Sequence, residues 1–520
     1  MTPAPPSTGY REIERKFRVP AGFTMPDFTG IAGVADVESH PAFTMTNDYY
    51  DTADLRLFRW GITLRRRQGG PDAGWHLKLP VVGHGEGVRD EIRVPLGATD
   101  AGVPDELARI VAPFVRRGRL ERVAGLRTHR APLVLADSLG TPVIEVVDDH
   151  VDIVGGTSFR EIEAEAMPAP DGSLDEDLLH RVSELMLSAG ATPGTTSKAG
   201  AALGPRAAVP PDVAEVPWPP AKAPAGDAVH AYLTQHTRRL LLADHMLRRD
   251  LPDAVHQMRV SARRLRSGLK VFAPLIDDEW ATRLRDELGW MASGLGEARD
   301  TEVLRERLDA HAIELDEADS ARARAVIDIA LARRMSEAQA QVAAIVDSDR
   351  YLDLLEELVD GVRRPPLSPR AQRPADRVLP GLVAKAFRRL DRRVAGLEMD
   401  TPSTVWHEAR IAAKRARYSA DAVAPVLGDD MERLAHRLAN VTEILGTHQD
   451  AHVAQATLRE LSVGPGGSAE PPLSGCTDPT DAFALGRLLA IEEAAEMADR
   501  REFLAMWPSV RKAARRAGVA

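Results

Sequence analysis

Along the first two hundred residues the chain alternates between polar and apolar positions with a period of two. In YREIERKFRV, residues 10–19, Glu12, Glu14 and Lys16 fall on one side of an extended chain, and Ile13 and Phe17 on the other. The same phase recurs in TLRRRQ with Arg65 and Arg67, in WHLKLP with His76 and Lys78, in VRDEIRV with Arg89, Glu91 and Arg93, and in REIEAEA with Glu161, Glu163 and Glu165. A sheet face turned to water usually mixes charges with Ser, Thr and Gln, but these strands repeat Arg, Lys and Glu with little neutral filler. One face of the sheet is therefore expected to form a highly charged site. Gly, Pro and Asp turns separate the short segments, so residues 8–204 read as a mainly antiparallel β domain with a few helices, DEDLLHRVSELMLSAG among them.

Residues 205–226, PRAAVPPDVAEVPWPPAKAPAG, are rich in Pro and Ala with little periodicity, and read as a semi-rigid linker. Beyond them the period becomes 3.6 and strand signals vanish, so 227–518 is expected to be all-helical. This half repeats itself. VHQMRVSARRLRSGLKVF (255–272) aligns with WHEARIAAKRARYSADAV (406–423), and LGEARDTEVL (295–304) with LGTHQDAHVA (445–454). Four helices can be drawn in each copy, near 227–250, 252–274, 277–311 and 316–362, then near 376–397, 402–425, 429–461 and 481–518. The expected fold is thus α+β: a β domain, then two pseudo-symmetric four-helix bundles spanning 227–362 and 376–518.

The repeat carries its own chemistry. His256, Arg259, Arg263, Arg266 and Lys270 advance by three and four residues and stack on one helix face, and His407, Arg410, Lys414 and Arg417 do so in the second copy. Like charges at this spacing repel by a few tenths of a kcal/mol per pair, ~0.2–0.5, so the arrangement gains nothing unless an anion compensates. Lys385, Arg388, Arg389, Arg392 and Arg393 form a further basic run, as do Arg511, Lys512, Arg515 and Arg516. Neither His256 nor His407 has a second histidine one turn on or a cysteine nearby, which argues against zinc.

Bulk numbers add limits. The 520 residues, 44% of them hydrophobic, suffice for two or more cores. The net charge is −10, divided as −7 over residues 1–204 and −3 over the rest, so an anion site must come from local clustering. The single cysteine, Cys476, excludes a disulfide framework and a multi-cysteine metal site. With no apolar leader and no run of about 18 apolar residues, a cytoplasmic protein without a membrane span is expected.

On EIERK, followed in order by YYDTADLRLFRWGITLRRR and FREIEAEA, the first domain resembles the CYTH family of triphosphate tunnel metalloenzymes; the duplicated H-x-x-R helices resemble the CHAD domain, a helical module associated with inorganic polyphosphate. The first resemblance implies an eight-stranded antiparallel tunnel with inward charges that acts on a triphosphate with Mg²⁺ or Mn²⁺. The charges of EIERK would then face the tunnel interior. It implies Glu12, Glu14 and Lys16 as catalytic residues, and Lys16, Arg65, Arg67, Lys78, Arg89, Arg93, Arg127, Arg130 and Lys198 as triphosphate ligands. Charge-assisted bonds from such side chains suit a compact polyanion. Carboxylates among them imply a bridging hard cation, held by Glu12, Glu14, Glu161, Glu163, Glu165 and Asp148. Strand parity pairs Arg127 with His129 rather than with Arg130, so one of these arginines is expected to point outward; Glu145, Asp148 and Asp152 compete similarly, with Asp148 favoured. His76 reads equally as a polar tunnel residue or an acid–base group.

The second resemblance implies polyphosphate binding by His256, Arg259, Arg263, Arg266, Lys270, Lys385, Arg388, Arg389, Arg392, His407, Arg410, Lys414, Arg417 and Lys512. The expected activity is metal-dependent hydrolysis of inorganic triphosphate, in the cytoplasm and in association with polyphosphate granules, with no specific nucleic-acid partner. The alternatives are an adenylyl cyclase, a thiamine triphosphatase, or a non-catalytic polyphosphate-binding protein.

Overall fold

The computed structural model describes residues 8–20, 22–81, 88–97, 102–169, 172–462 and 478–520; Cys476 lies outside them. The chain divides into two compact units, 1–212 and 213–520.

In chain order the first unit holds β1 (Thr8–Arg18), β2 (Asp36–Ser39), β3 (Phe43–Asp51), α1 (Arg56–Arg59), β4 (Thr63–Gln68), β5 (Gly74–Pro80), β6 (Val88–Val94), α2 (Asp105–Val115), β7 (Glu121–Ala136), β8 (Pro142–Ile153), β9 (Ser158–Ala166), α3 (Glu176–Ser188), β10 (Thr192–Pro193) and α4 (Lys198–Leu203). Eight strands close on themselves in the order β1-β6-β5-β4-β3-β7-β8-β9, with β9 returning to β1, while β2 and β10 add to the edges of β7 and β1. All pairings are antiparallel. Closure removes the open edges that an isolated sheet would expose.

Period-two alternation then assigns the two faces. On the outside Ile13, Phe17, Leu135, Ile144, Val146, Ile162 and Ala164 pack against Leu178, Leu179, Val182 and Met186 of α3. α3 itself starts where the Asp175 carboxylate accepts from Leu178 N and satisfies one of the helix's free N–H groups. The inside receives the charged residues two positions apart from one another. One turn is anchored by Asp51, whose buried carboxylate accepts from the backbone N–H groups of Thr52, Leu57 and Phe58 and so fixes α1 against the barrel.

The second unit contains α5 (Ala225–Leu247), α6 (Ala254–Val271), α7 (Asp278–Gly294), α8 (Gly296–Ala312), α9 (Glu317–Val346), α10 (Asp349–Arg363), α11 (Ala375–Val394), α12 (Ser403–Leu427), α13 (Asp429–Ser462) and α14 (Pro479–Arg516). The second copy has the four helices expected. In the first copy two of the expected helices are interrupted: one at Leu295, the other at Asp347 and Ser348, where the Ser348 side chain caps α10 by accepting from Tyr351 N. Gly294 sits at the first break, where a Cβ would fall 1.9 Å from Ile345 Cδ1 of α9, so any larger residue would require that side chain to move. The matching Leu445 and Gly446 lie inside unbroken α13. The repeat is also visible in the backbone, because Pro224 and Pro374, which precede the first helix of each copy, form an antiparallel bridge. A core of Leu304, Leu308, Ile327, Leu458, Leu485 and Leu488 joins helices of both copies.

Residues 205–226 are more than a spacer. Asp212 is buried in the first unit, accepting from Trp60 Nε1 at 2.8 Å and pairing with Arg116, whereas Val213 accepts from Arg238 and Ala225 N donates to Arg373 O at 2.8 Å in the second. Buried Trp, Arg and Asp groups need such partners, which explains why a Pro-rich segment is held at both ends.

Candidate active site in the tunnel

The barrel encloses a cavity of about 740 Å³, and its walls are built by strand parity. β1 contributes Glu12, Glu14 and Lys16; β4 contributes Arg65 and Arg67; β5 contributes Lys78; β6 contributes Arg89, Glu91 and Arg93; β9 contributes Glu163 and Glu165. Cross-strand register sets these residues opposite one another: Glu14 faces Glu165, Lys16 faces Glu163, Arg18 faces Glu161 and Lys78 faces Glu91. The structure therefore brings together Glu12, Glu14, Lys16, Arg65, Arg67, Lys78, Arg89, Arg93, Arg130, Lys198, Glu163 and Glu165 around one cavity.

Most of these charges are held by opposite charges. Lys78 pairs with Glu12, and Lys16 Nζ lies 2.8 Å from Glu14 and 3.1 Å from Glu163. Lys198, brought in at the start of α4 behind its Ser197 cap, reaches Glu163 at 2.7 Å, Asp149 at 2.9 Å and Glu161 at 3.1 Å. Burial opposes the charge on Lys198, but Asp149, Glu163 and Glu161 outweigh it and hold its pKa above the ordinary lysine value. Arg130 grips Asp149 with two bonds of 2.8 and 2.6 Å, the bidentate geometry that suits guanidinium and carboxylate.

Glu165 is the exception. Burial, reinforced by the neighbouring Glu12 and Glu14, raises its pKa to about 8. Its cross-strand neighbour Glu14 is paired with Lys16, which leaves Glu165 as the carboxyl short of positive charge. Two buried atoms nearby also lack hydrogen-bond partners: Glu12 Oε2, an acceptor, and Arg65 Nε, a donor. An acceptor awaiting a cation and a donor awaiting an anion are what a metal–phosphate ligand would satisfy. Among the described residues no three His, Cys, Asp or Glu side chains converge to ligate one ion as they stand.

Several expectations are corrected. Arg127 is exposed, because Leu126, Thr128 and Arg130 take the inward parity of β7. Asp148 shares the outward parity of Ile144 and Val146 and forms a two-bond pair with Arg160 at 2.9 and 2.7 Å. Its neighbour Asp149 is the inward residue, fully buried, and Glu145 lines the cavity on the same parity. Glu161 keeps the inward phase but lies buried behind Lys198 and Arg18 (3.6 Å) rather than on the cavity wall. His76 is buried, with Nδ1 2.8 Å from Glu91 Oε1 and Nε2 2.9 Å from the Asp72 carbonyl, so it braces Glu91 from behind the wall. Asp72 also lines the cavity and pairs with Arg67; it sits in the β4–β5 turn, where alternation gives no signal.

In the helical unit, Arg259, Arg263, Arg410 and Lys414 converge from the two copies. Burial, followed by the charges of Arg410 and Arg263, lowers the pKa of Lys414 to about 8. Arg259 is steadied by Gly296 O and Asp300, each at 3.0 Å, and His407 Nδ1 lies 2.6 Å from Gln449 Oε1. His256 is half-buried; Arg266, Lys270, Lys385, Arg388, Arg389, Arg392 and Lys512 are exposed. Arg417 departs from the expected basic face, since it donates to Thr442 Oγ1 at 2.7 Å and lies 3.5 Å from Asp421. The histidine pair overlooked in the sequence is His448 and His452 on α13, four residues apart and facing Glu496 at 3.3 and 3.9 Å. Arg500 Nε donates to His448 Nε2 at 3.1 Å, so an arginine already fills this place.

Fold and site together define a charge-lined β tunnel joined in one chain to a duplicated helical domain. The CYTH domain pattern matches residues 10–190 and the CHAD domain pattern residues 231–459, and the chain belongs to the family of proteins that join these two domains. A protein of Mycobacterium tuberculosis, described as uncharacterized, is 34% identical over 525 residues, covering 96% of this chain and 95% of its own. Among solved structures, PptA from Streptomyces chartreusis is 27% identical with a TM-score of 0.46, covering 55% of this chain and 100% of its own. The CHAD domain from the plant Ricinus communis is 26% identical with a TM-score of 0.43, covering 56% and 94%. No helix among the described residues is long and apolar enough to cross a membrane.

Proposed function

We propose that this chain is a divalent-metal-dependent hydrolase of inorganic triphosphate whose helical domain binds polyphosphate. The observation that carries the reading is the orphaned Glu12 Oε2 beside Glu14 and Glu165, in a cavity whose walls set many Arg and Lys side chains among these carboxylates. Enzymes of the CYTH family depend on a metal. Here Glu12, Glu14 and Glu165 would hold Mg²⁺ or Mn²⁺, which when bound neutralises phosphate charge and lowers the pKa of bound water.

The chain's own residues supply positioning, which dominates phosphoryl transfer. Arg65, Arg89 and Arg93 face the cavity and orient the phosphate oxygens, with the free Nε of Arg65 available for one of them. Lys16 and Lys78 move between carboxylate and phosphate as the chain enters. Glu163 and Asp149 keep Lys198 and Arg130 charged and in place. Partial burial in the barrel lowers the local dielectric and strengthens these contacts. Among the described residues Tyr49 and Phe58 are the aromatic side chains on the cavity wall, and they form no two-sided clamp for a nucleobase or thiazole, which favours the inorganic substrate over ATP or thiamine triphosphate.

The test is phosphate release from triphosphate, ATP and thiamine triphosphate, with Mg²⁺ and with EDTA. Triphosphate is expected to be cleaved only with the metal. Equal rates in EDTA, or cyclic AMP as the main product from ATP, would overturn the assignment.

A further inference from the structure

The two copies of the helical repeat build two equivalent places on either side of the crossing of α6 with α12, and their charges differ. In one, α6 packs on α7 and α12, and α12 on α11, which sets Lys270 and Arg266 of α6, one turn apart, near Arg285 of α7, Arg389 of α11 and Arg415 of α12; burial, followed by the charges of these four arginines, lowers the pKa of Lys270. Shifting each position by 150 or 151 residues, the repeat offset already seen in His256/His407 and Pro224/Pro374, turns Lys270 into Asp421, Arg266 into Arg417, Arg285 into His436, Arg389 into Arg239 and Arg415 into Arg264. These five also meet, around a separate cavity of about 440 Å³.

Among the described residues none of the five side chains of the first place forms an ion pair, and Arg266, Lys270 and Arg389 are exposed. In the second, Asp421 stands where the lysine would be and pairs with Arg264 at 2.5 Å and Arg417 at 3.5 Å, while His436 replaces an arginine and Glu432 adds a second acid to the lining. Exposed like charges gathered without an ion-pair partner repel one another modestly and gain when an anion joins them; two arginines already satisfied by a carboxylate gain less from another anion.

Resting on the polyphosphate reading above, we propose that the helical domain is a one-sided polyanion binder: a condensed phosphate chain is anchored at Lys270, Arg266, Arg285, Arg389 and Arg415, and the counterpart at Asp421 has been closed to it. A chain gripped by the central Arg259, Arg263, Arg410 and Lys414 group then leaves toward one side only, so its direction on the protein is fixed. A narrow phosphate chain fits this better than duplex nucleic acid, because a protein of net charge −10 offers cations only in such patches.

The experiment measures binding of long-chain sodium polyphosphate to the full-length protein as a function of salt, with circular dichroism to verify folding. Arg389→Gln with Arg415→Gln is expected to weaken binding at least tenfold and to flatten the salt slope by about one to two. Arg239→Gln with Arg264→Gln, at the equivalent positions, is expected to change it less than about twofold, since neither faces an anion-ready place. Asp421→Lys restores the missing cation and is expected to strengthen binding severalfold. Equal losses from the two double variants, or no gain from Asp421→Lys, would overturn one-sidedness while leaving polyphosphate binding intact. A wild-type protein that binds duplex DNA as tightly, or fails to bind polyphosphate at all, would overturn the reading on which it rests.

Discussion

The tunnel and the helical face both collect basic side chains, yet they neutralise them in opposite ways. In the barrel, Lys16, Lys78, Lys198 and Arg130 are each within bonding reach of a carboxylate, and burial makes those contacts obligatory. On the helices, Arg263, Arg410 and Lys414 crowd one another, and burial with like charge depresses Lys414 instead of raising it. A buried network that already balances itself is preorganised to exchange partners with a substrate. A like-charged patch half in water lacks that balance and gains from any anion that arrives. The first arrangement suits chemistry on a small ligand, and the second suits retention of a long one.

The sharpest way to break the comparison is to neutralise single carboxylates of the tunnel. Glu12→Gln or Glu14→Gln is expected to lower triphosphate turnover by about a hundredfold or more, in line with the loss of one preorganised electrostatic group, without unfolding the protein or altering polyphosphate binding. Steady-state phosphate release and polyphosphate titration of the same preparation check both halves of the statement. A parallel loss of polyphosphate binding would show that the two regions are not separable.

The second effect is on stability. Lys198→Met leaves Asp149, Glu161 and Glu163 facing one another without their shared cation, and removing one partner from a buried ion network costs about 3–5 kcal/mol. Urea unfolding of the full chain should show the transition of the β unit moved to lower denaturant while the helical transition stays in place. On the helical side, Arg259→Ala with Arg263→Ala, and Arg410→Ala with Lys414→Ala, should instead leave stability nearly unchanged or raise it slightly, because like-charge repulsion is relieved. Polyphosphate affinity should fall in both pairs, by about tenfold, with a flatter salt dependence.

The same contrast explains what was legible in the sequence. Where charged and apolar residues alternate cleanly, as in EIERK and EIEAEA, phase put Glu12, Glu14, Lys16, Glu163 and Glu165 on one charged face, and the family resemblance implied that this face turns into a tunnel, where these residues line the cavity. β8 reads VIEVVDDHVDI, with valines on both faces because the outer one packs on α3 and the inner one fills the barrel, so phase was ambiguous and Asp148 was preferred to Asp149. The even separation of Glu145 from Asp149 was the available signal. In β7 phase left Arg127 and Arg130 both as candidates, and only the packed barrel turns Arg130 inward and Arg127 out. The carboxylates that hold the lysines could not be told from those facing a metal, since that depends on Lys198 arriving from a helix far along the chain. In the helical unit the repeat located Arg259 and Arg410 through their shared spacing, but the Lys270 group draws on three other helices and Asp421 was visible only by applying the repeat offset to the whole packed arrangement.

The smallest effect expected is a pH dependence confined to the helical face. Lys414 faces Arg410 on its own helix, Arg259 and Arg263 on α6, and Asp450 on α13; burial and the arginines together depress its pKa to about 8. A depressed base binds fewer protons in the folded than in the unfolded state between pH 8 and the ordinary lysine value, so the protein's own stability rises with pH across that window. Ligand binding runs the other way. A phosphate chain laid on the patch favours the charged ammonium, so binding takes up a proton above pH 8 and weakens as pH rises. If the anion restores about one pKa unit, affinity should fall about five- to tenfold between pH 7 and 9.5, beyond any change from phosphate ionisation itself. Lys414→Arg keeps its charge over this range and should lose that component of the dependence while retaining affinity at pH 7. Polyphosphate titrations of wild type and Lys414→Arg at four pH values, in two buffers of different ionisation enthalpy, separate the cases. Identical pH profiles for the two proteins would mean that Lys414 does not touch the ligand, and that the central group binds through its arginines alone.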